Sequence, residues 1–246
     1  MTERLVGIVC ALHAEARHLN PVTRRRPLAS LPDGTLLAVS GMGPPAAARA
    51  ARALLDAGAT ALVSWGMAGG LDPAIGAGTI FLPAEVLPLG GTAIATTRRW
   101  MQALGGALAQ HNILCGGRLL STASAVGSRQ EKAALFRATG AAAVDMESLA
   151  VGEAAATRQL PFIAVRVIVD GAQDDVPAAA SAAADASGHL QAWQLLCALA
   201  RAPGDVPSLI RLAARYRAAS RSLAAVARYG PLGPSLWAAP LPGHTP

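Results

Sequence analysis

Apolar stretches of strand length alternate with alanine-rich or amphipathic stretches of helix length from Arg4 to Asp170. This alternation constrains the fold more than any other feature of the chain. Strands that are apolar almost throughout need cover on both faces, and intervening helices supply it. "RLVGIVCAL" reads as a strand and "AEARHL" as a short helix. "TLLAVSGMG" is a strand ending in glycines. "PPAAARAARALLDAGA" is a helix with proline in its first turn and Gly58 near its end. "TALVSWGMAGGL" is a strand running into a glycine turn, and "GTIFLPAEVLPL" is extended. "TRRWMQALGGALAQHN" reads as a helix weakened by its glycine pair, and "ILCGGRLLSTASAV" as a strand with a loop. "SRQEKAALFRATG" is a helix with Ser128 as N-cap and Glu131 completing a capping box. "AAAV", "DMESLAVGEAAATRQL" and "PFIAVRVIVD" read as strand, helix and strand.

The 246 residues, 52% hydrophobic and 15% charged, suffice for one well-buried domain. The expected fold is α/β: a single domain with a mixed, largely parallel central sheet flanked by helices. That domain is expected over 1–229, including an amphipathic helix at about 206–229, with a Pro-rich tail over 230–246. Residues 176–188 read as a surface loop or loose helix. Gly, Pro or charge interrupts every apolar run before it reaches about 18 residues, which excludes a membrane span. "MTERLVGIVCALHAEA" reads as a first strand and helix, not as a signal peptide. Cys10, Cys115 and Cys197 are scattered and odd in number, so a reducing, cytoplasmic setting is expected and no metal site. The net charge of +6 comes almost wholly from arginine. With few aromatics and no nucleic-acid motif, it reads as a solvated surface and not as a nucleic-acid interface.

In such sheets, ligands bind beyond the carboxyl ends of strands. Ser40–Gly43, Gly66–Gly70, Asp170 and the acids Asp145 and Glu147 all fall there, and the first strand leads toward Glu15. "GMGPPA" fits a dinucleotide G-x-G-x-x-A pattern. The next strand ends without the acid that would hold a ribose hydroxyl, which argues against that use. In "VDMESLAVGEAA", Asp145 and Glu147 flank Met146. One such acid is ordinarily a helix cap. Two of them invite a chemical explanation.

In order, "GIVCALHAEA", "SGMGPPAAA", "SWGMAGGLDPAIGAGTIFLP", "VDMESLAVGEAA" and "PFIAVRVIVDGA" resemble the nucleoside phosphorylase and nucleosidase superfamily over about residues 4–171. The branch most similar is the methylthioadenosine/S-adenosylhomocysteine nucleosidases. Within the superfamily the chain looks most like the hopanoid-associated phosphorylases, which are linked to removal of adenine from adenosylhopane. The resemblance implies cleavage of a purine–ribose bond. It implies Asp170 as the acid that protonates the leaving purine and Glu15 as the acid that positions the attacking water. Glu147 would grip the ribose hydroxyls and Met146 would line the sugar pocket. Ala68 and Gly69 would pass close to base and ribose, beside Met67, with Val126 on the base side. Asp145 is left as a cap or packing acid.

Each residue also has a plain structural use. Asp170 can open a turn with Gly171, Glu15 can be an exposed helix residue, and methionines are ordinarily core. The chain departs from the nucleosidase pattern in three places. Val169 stands where Ser precedes the catalytic Asp, Met67 where a small polar residue sits, and Ala125 close to the purine-stacking Phe. The pocket should therefore be altered and wider on the base side.

Water and phosphate both remain open as nucleophile. Gly41 and Gly43 offer backbone for a phosphate or water site. "VDGAQDDVP" carries no arginine, and Arg24–Arg26 is the basic sequence on offer. Neither chemistry needs a metal or organic cofactor; phosphate would be a cosubstrate. The resemblance also implies a homodimer. An inactive nucleoside-binding protein is the non-enzyme alternative, which retention of Glu147 and Asp170 disfavours.

In the C-terminal helix, Leu209, Leu212, Tyr216, Leu223 and Val226 form one stripe. Arg217, Arg221 and Arg228 lie opposite, with Arg211 and Arg215 at the border. Such a stripe packs on a core or lies on an anionic membrane. A lipid nucleoside substrate would favour reversible membrane contact beside the pocket mouth.

Overall fold

The computed structural model describes residues 5–19, 28–175, 206–230 and 232–233, with side chains of the last helix described from 210 onward. The segment 176–188, Arg24–Arg26, Cys197 and most of the Pro-rich tail lie outside the described residues.

Among the described residues, eleven strands form one mixed sheet with helices on both faces. β1 (Val6–Cys10), β2 (Leu28–Ser30), β3 (Leu36–Val39) and β4 (Ala61–Gly70) make its first half. β5 (Ile80–Leu82), β6 (Glu85–Pro88), β7 (Ile94–Ala95), β8 (Ile113–Cys115), β9 (Arg118–Ser121), β10 (Ala143–Asp145) and β11 (Phe162–Asp170) complete it. The order is β2-β3-β1-β4-β10-β9-β6-β7, while β11 joins β4 to β5, and β5 pairs with β8. β4 is the hub. Its first half pairs in parallel with β1, most of its length pairs in parallel with β11, and Gly69 and Gly70 pair antiparallel with β10. β1 stops pairing at Trp65 and β10 begins only at Gly69, so the sheet opens between them at the carboxyl end of β1.

The helices among the described residues are α1 (His13–Ala16), α2 (Pro44–Asp56), α3 (Arg98–Ala107), α4 (Arg129–Thr139), α5 (Ser148–Thr157) and α6 (Val206–Tyr229). α2 starts at Pro44 and Pro45, whose missing N–H groups fall where none would be bonded, and Gly58 follows its end at φ 97°. Ser128 Oγ accepts from the Glu131 amide at 3.2 Å, and left-handed Gly140 closes α4. One core layer sets Trp65, Trp100 and Leu104 against the sheet; the other sets Leu54, Leu55 and Val151 against its opposite face.

Three differences from the sequence reading have plain causes. The extended run "GTIFLPAEVLPL" divides at Pro83 and Ala84, because its halves pair with different neighbours. β2 and β7 are short and owe their form to antiparallel partners, a tertiary influence that local pattern does not carry. α5 begins at Ser148, so Asp145 ends a strand and Glu147 sits in the turn between.

The described part of the stripe on α6 packs toward the sheet, while the side chain of Leu209 lies outside the described residues. Leu223 and Val226 are fully buried in the core with Ala219, and Leu212 and Tyr216 are half-buried. Arg217, Arg221 and Arg228 are exposed. This corrects the expectation that the stripe inserts into a membrane: Leu223 and Val226 already have apolar cover. Among the described residues no helix is long and apolar enough to cross a membrane.

Candidate active site

A cavity of about 240 Å³ occupies the opening beside β4. Glu15, Glu147 and Asp170 line it, as do Met67, Ala68, Gly69, Val126 and Met146. These residues come from α1, β4, the loop after β9, the β10–α5 turn and the end of β11. Gly41 and Gly43 are not on the wall. The Gly41 amide donates to Ala11 O at 3.0 Å and the Gly43 amide to Glu147 Oε1 at 2.9 Å, so both N–H groups are engaged inside the protein.

A β-bulge aims the acid. Ile168 stands opposite Ala68 and Asp170 opposite Gly69, two steps along β11 for one along β4. The extra residue, Val169, lets both it and Asp170 reach the cavity wall. Asp170 lies close to the β4 backbone: a Cβ at Gly69 would be in ordinary contact, 3.4 Å, with both Asp170 Oδ2 and Val144 Cγ1.

Asp170 does not stand alone. The Lys132 ammonium, wholly buried, pairs with Asp170 Oδ2. It also donates to Gly171 O at 3.0 Å and Asp174 O at 2.9 Å. Burial pushes the Asp170 carboxyl above its usual range, and the Lys132 charge pulls against that.

Glu15 sits across the cavity. Its Oε1 accepts from the Met67 amide at 2.8 Å and its Oε2 from the Leu12 amide at 3.1 Å. Gly66 leaves room for it: a Cβ there would fall 2.7 Å from Glu15 Oε1 and displace the carboxylate. Burial pushes Glu15 up to about 7 despite those amides. Burial first, and then the neighbouring Asp145 charge, also raises Glu147.

Asp145 is structural as well as acidic. Its Oδ2 accepts from the Ser148 amide at 3.1 Å, so it does help start α5. The same oxygen accepts from Arg166 Nε at 2.7 Å. Arg166, 2% exposed, reaches Ser64 Oγ at 2.6 Å and Ser148 Oγ at 2.9 Å through Nη2.

Sequence reasoning missed both buried cations. Each left a signal. Arg166 interrupts the otherwise apolar "FIAVRVIVD", and a charge there needs a buried partner. Lys132 precedes Leu135 and Phe136 by three and four residues, which puts it on the apolar face of α4.

A model of the phosphorylase superfamily matches residues 33–201. The chain belongs to that superfamily. Solved structures agree on the fold. The methylthioadenosine/S-adenosylhomocysteine nucleosidase of Neisseria meningitidis, in complex with methylthio-immucillin-A, is 18% identical with a TM-score of 0.62, covering 91% of this chain and 99% of that one. The Helicobacter pylori nucleosidase of the same name, with butyl-thio-DADMe-Immucillin-A, is 16% identical with a TM-score of 0.61, covering 70% and 88%. Helicobacter pylori futalosine hydrolase is 18% identical with a TM-score of 0.60, covering 69% and 86%. No curated protein matches the chain in sequence.

Proposed function

We propose that this superfamily member cleaves the N-glycosidic bond of a purine nucleoside and releases adenine, with water as nucleophile. The observation that supports it most is the convergence of Glu15, Glu147 and Asp170 on one cavity. Bond breaking puts negative charge on the base and positive charge on the sugar. Asp170 donates its proton to the departing purine, so the base leaves neutral. Glu147, with its Oε1 fixed by the Gly43 amide, holds the ribose hydroxyls and favours the cationic sugar. Glu15, half-ionised near pH 7, takes the proton of the attacking water. Met146 packs on the sugar.

Water is preferred to phosphate on charge. Asp145, Glu15 and Glu147 line the cavity beside the protonated Asp170, and an anion entering it would meet the negative charge of the ionised acids. The donors of Arg166 and Lys132 go to carboxylates, hydroxyls and carbonyls of the protein itself.

For the 5′ side we keep the reading that the sequence resemblance suggests, adenosylhopane, with methylthioadenosine or S-adenosylhomocysteine as the alternative. Leu12, Met42, Met67 and Val169 give the cavity an apolar lining that suits either kind of substituent. Ala125 and Val126, where the resemblance places a stacking Phe nearby, leave the base side less filled. A homodimer remains part of the proposal, and a monodisperse monomer in sedimentation would remove it.

The test is adenine release from 5′-methylthioadenosine, adenosine and adenosylhopane, with and without phosphate, followed by chromatography. Phosphate-independent release supports hydrolysis. Release that requires phosphate, with a sugar 1-phosphate as product, overturns the choice of water. No free base from any of the three, with the nucleoside still bound, points to the inactive binding protein.

A further inference from the structure

We propose that Lys132 is the positioning residue for Asp170: it fixes one carboxylate oxygen and stabilises the negative charge that appears there when the proton leaves. This rests on Asp170 acting as the acid.

The geometry is specific. Lys132 comes from the first turn of α4 and its side chain is wholly buried. A buried ammonium is costly unless each of its three donors is met. Here all three are: Asp170 Oδ2, Gly171 O and Asp174 O. The two carbonyls hold the ammonium at a set point, and the ammonium holds Oδ2. Among the described residues nothing donates to the other oxygen, Oδ1, which is left for the proton and the purine. The supporting turn is itself braced. Asp174 Oδ2 accepts from the Gly171 amide at 2.9 Å, and Asp174 Oδ1 pairs with Arg215 of α6 at 2.5 Å.

The chemistry balances without another reagent. The C–N bond electrons pass to the purine, the Asp170 proton passes to a ring nitrogen, and a carboxylate remains beside the Lys132 ammonium. A neutral carboxyl meets that ammonium as a modest acceptor, while the carboxylate meets it as a full ion pair. The contact therefore strengthens as the reaction proceeds, which is the condition for helping the rate. The charged groups around Asp170 are Lys132 from α4, Asp174 from the turn and Arg215 from α6. Asp175 is exposed and paired with Arg129 at 2.8 Å.

The experiment compares wild type with Lys132→Gln, which keeps two donors for the carbonyls but carries no charge. The profile of kcat against pH is measured with 5′-methylthioadenosine or whichever nucleoside wild type accepts. Loss of an opposite charge in contact should raise the Asp170 carboxyl by about one unit or more. The alkaline limb of kcat should move up by that amount while kcat at its plateau falls. Direct carbon-13 titration of the Asp170 carboxyl, assigned with Asp170→Asn, should show the same shift. An unmoved alkaline limb and an unmoved carboxyl in a folded variant overturn the proposal.

If Lys132→Gln does not fold, the wild type decides. The nitrogen-15 resonance of the Lys132 ammonium should follow the Asp170 titration and lose that step in Asp170→Asn. A resonance indifferent to Asp170 overturns the pairing. If wild type releases no base from any nucleoside, the proposed function fails separately, and the two titrations still judge Lys132.

Discussion

The two sides of the cavity manage buried charge in opposite ways. At the end of β11, one carboxylate meets one ammonium, Asp170 against Lys132. Across the cavity, Asp145, Glu147 and Glu15 all look to a single guanidinium, Arg166. Arg166 spends its direct contact on Asp145. Glu147 and Glu15 are steadied mainly by backbone amides, which contribute hydrogen bonds without a full positive charge. With every group ionised, the first side is neutral as a pair and the second, three acids to one base, has an excess of negative charge; with Asp170 protonated, the first side carries the positive charge of Lys132. A cationic sugar suits the second side, and a departing base that needs a proton suits the first. In the proposed reaction, the two buried cations would serve opposite halves of the bond that breaks.

The comparison can be broken most sharply at its neutral side. Asp170→Asn keeps the shape and an acceptor for Lys132 but removes the proton. Turnover should fall by about 10²–10⁴, while a nucleoside analogue still binds in calorimetry. Near-normal turnover would remove the acid from Asp170.

On the crowded side, Arg166→Met leaves Asp145 buried without its partner. The fold should lose about 3–5 kcal/mol, read from urea unfolding, because the uncompensated charge stays inside. A loss below about 1 kcal/mol would mean that Asp145 does not depend on Arg166 for its place in the interior.

Glu147→Gln should lower kcat by roughly 10² with little change in KM, since the sugar charge appears only in the transition state. An equal rise in KM would instead make Glu147 a ground-state anchor.

Glu15 offers a test in pH. Its folded value, about 7, lies above its ordinary 4.5. The native state therefore binds more protons than the unfolded chain between those values, and stability from this group is lost as pH rises through about 7. Glu15→Gln should remove that slope, so its melting temperature gains on wild type as pH rises from about 4.5 to about 7, the window those two values define. Its turnover should be poor at every pH. Parallel melting curves for the two proteins would show that Glu15 titrates normally.

The smallest effect belongs to Arg215→Gln, whose partly exposed pair with Asp174 is worth about 1 kcal/mol or less. Its alkaline limb should shift in the same sense as that of Lys132→Gln, and by less. A shift larger than that of Lys132→Gln would place control of the acid on α6.

Legibility in the sequence followed the same divide. Asp145 and Asp170 were readable as acids at the ends of apolar strands, with Glu147 just beyond, whereas Glu15 stood out only because the ordered motifs resemble a family. The α/β alternation was readable because its strands are apolar nearly throughout. The cations were not, since nothing local says which carboxylate a distant Lys or Arg will meet. Lys132 lies 38 positions from Asp170 and Arg166 lies 21 from Asp145. The direction of α6 was equally unreadable: an apolar stripe flanked by arginines has the same pattern whether it faces a sheet or a bilayer. Leu223 and Val226 take their cover from the sheet.

The bulge at Val169 has a consequence for how such a site can change. In an uninterrupted strand, the pleat ties the direction of the last side chain to every residue before it. β11 instead carries two phases, with Val169 as the slip between them. Upstream, "FIAVRVIV" can exchange one apolar residue for another to suit the core without turning the acid. Only a gain or loss of a residue at the slip resets where Asp170 points. Substitution there adjusts the pocket wall, whereas an insertion or deletion redirects the carboxyl group.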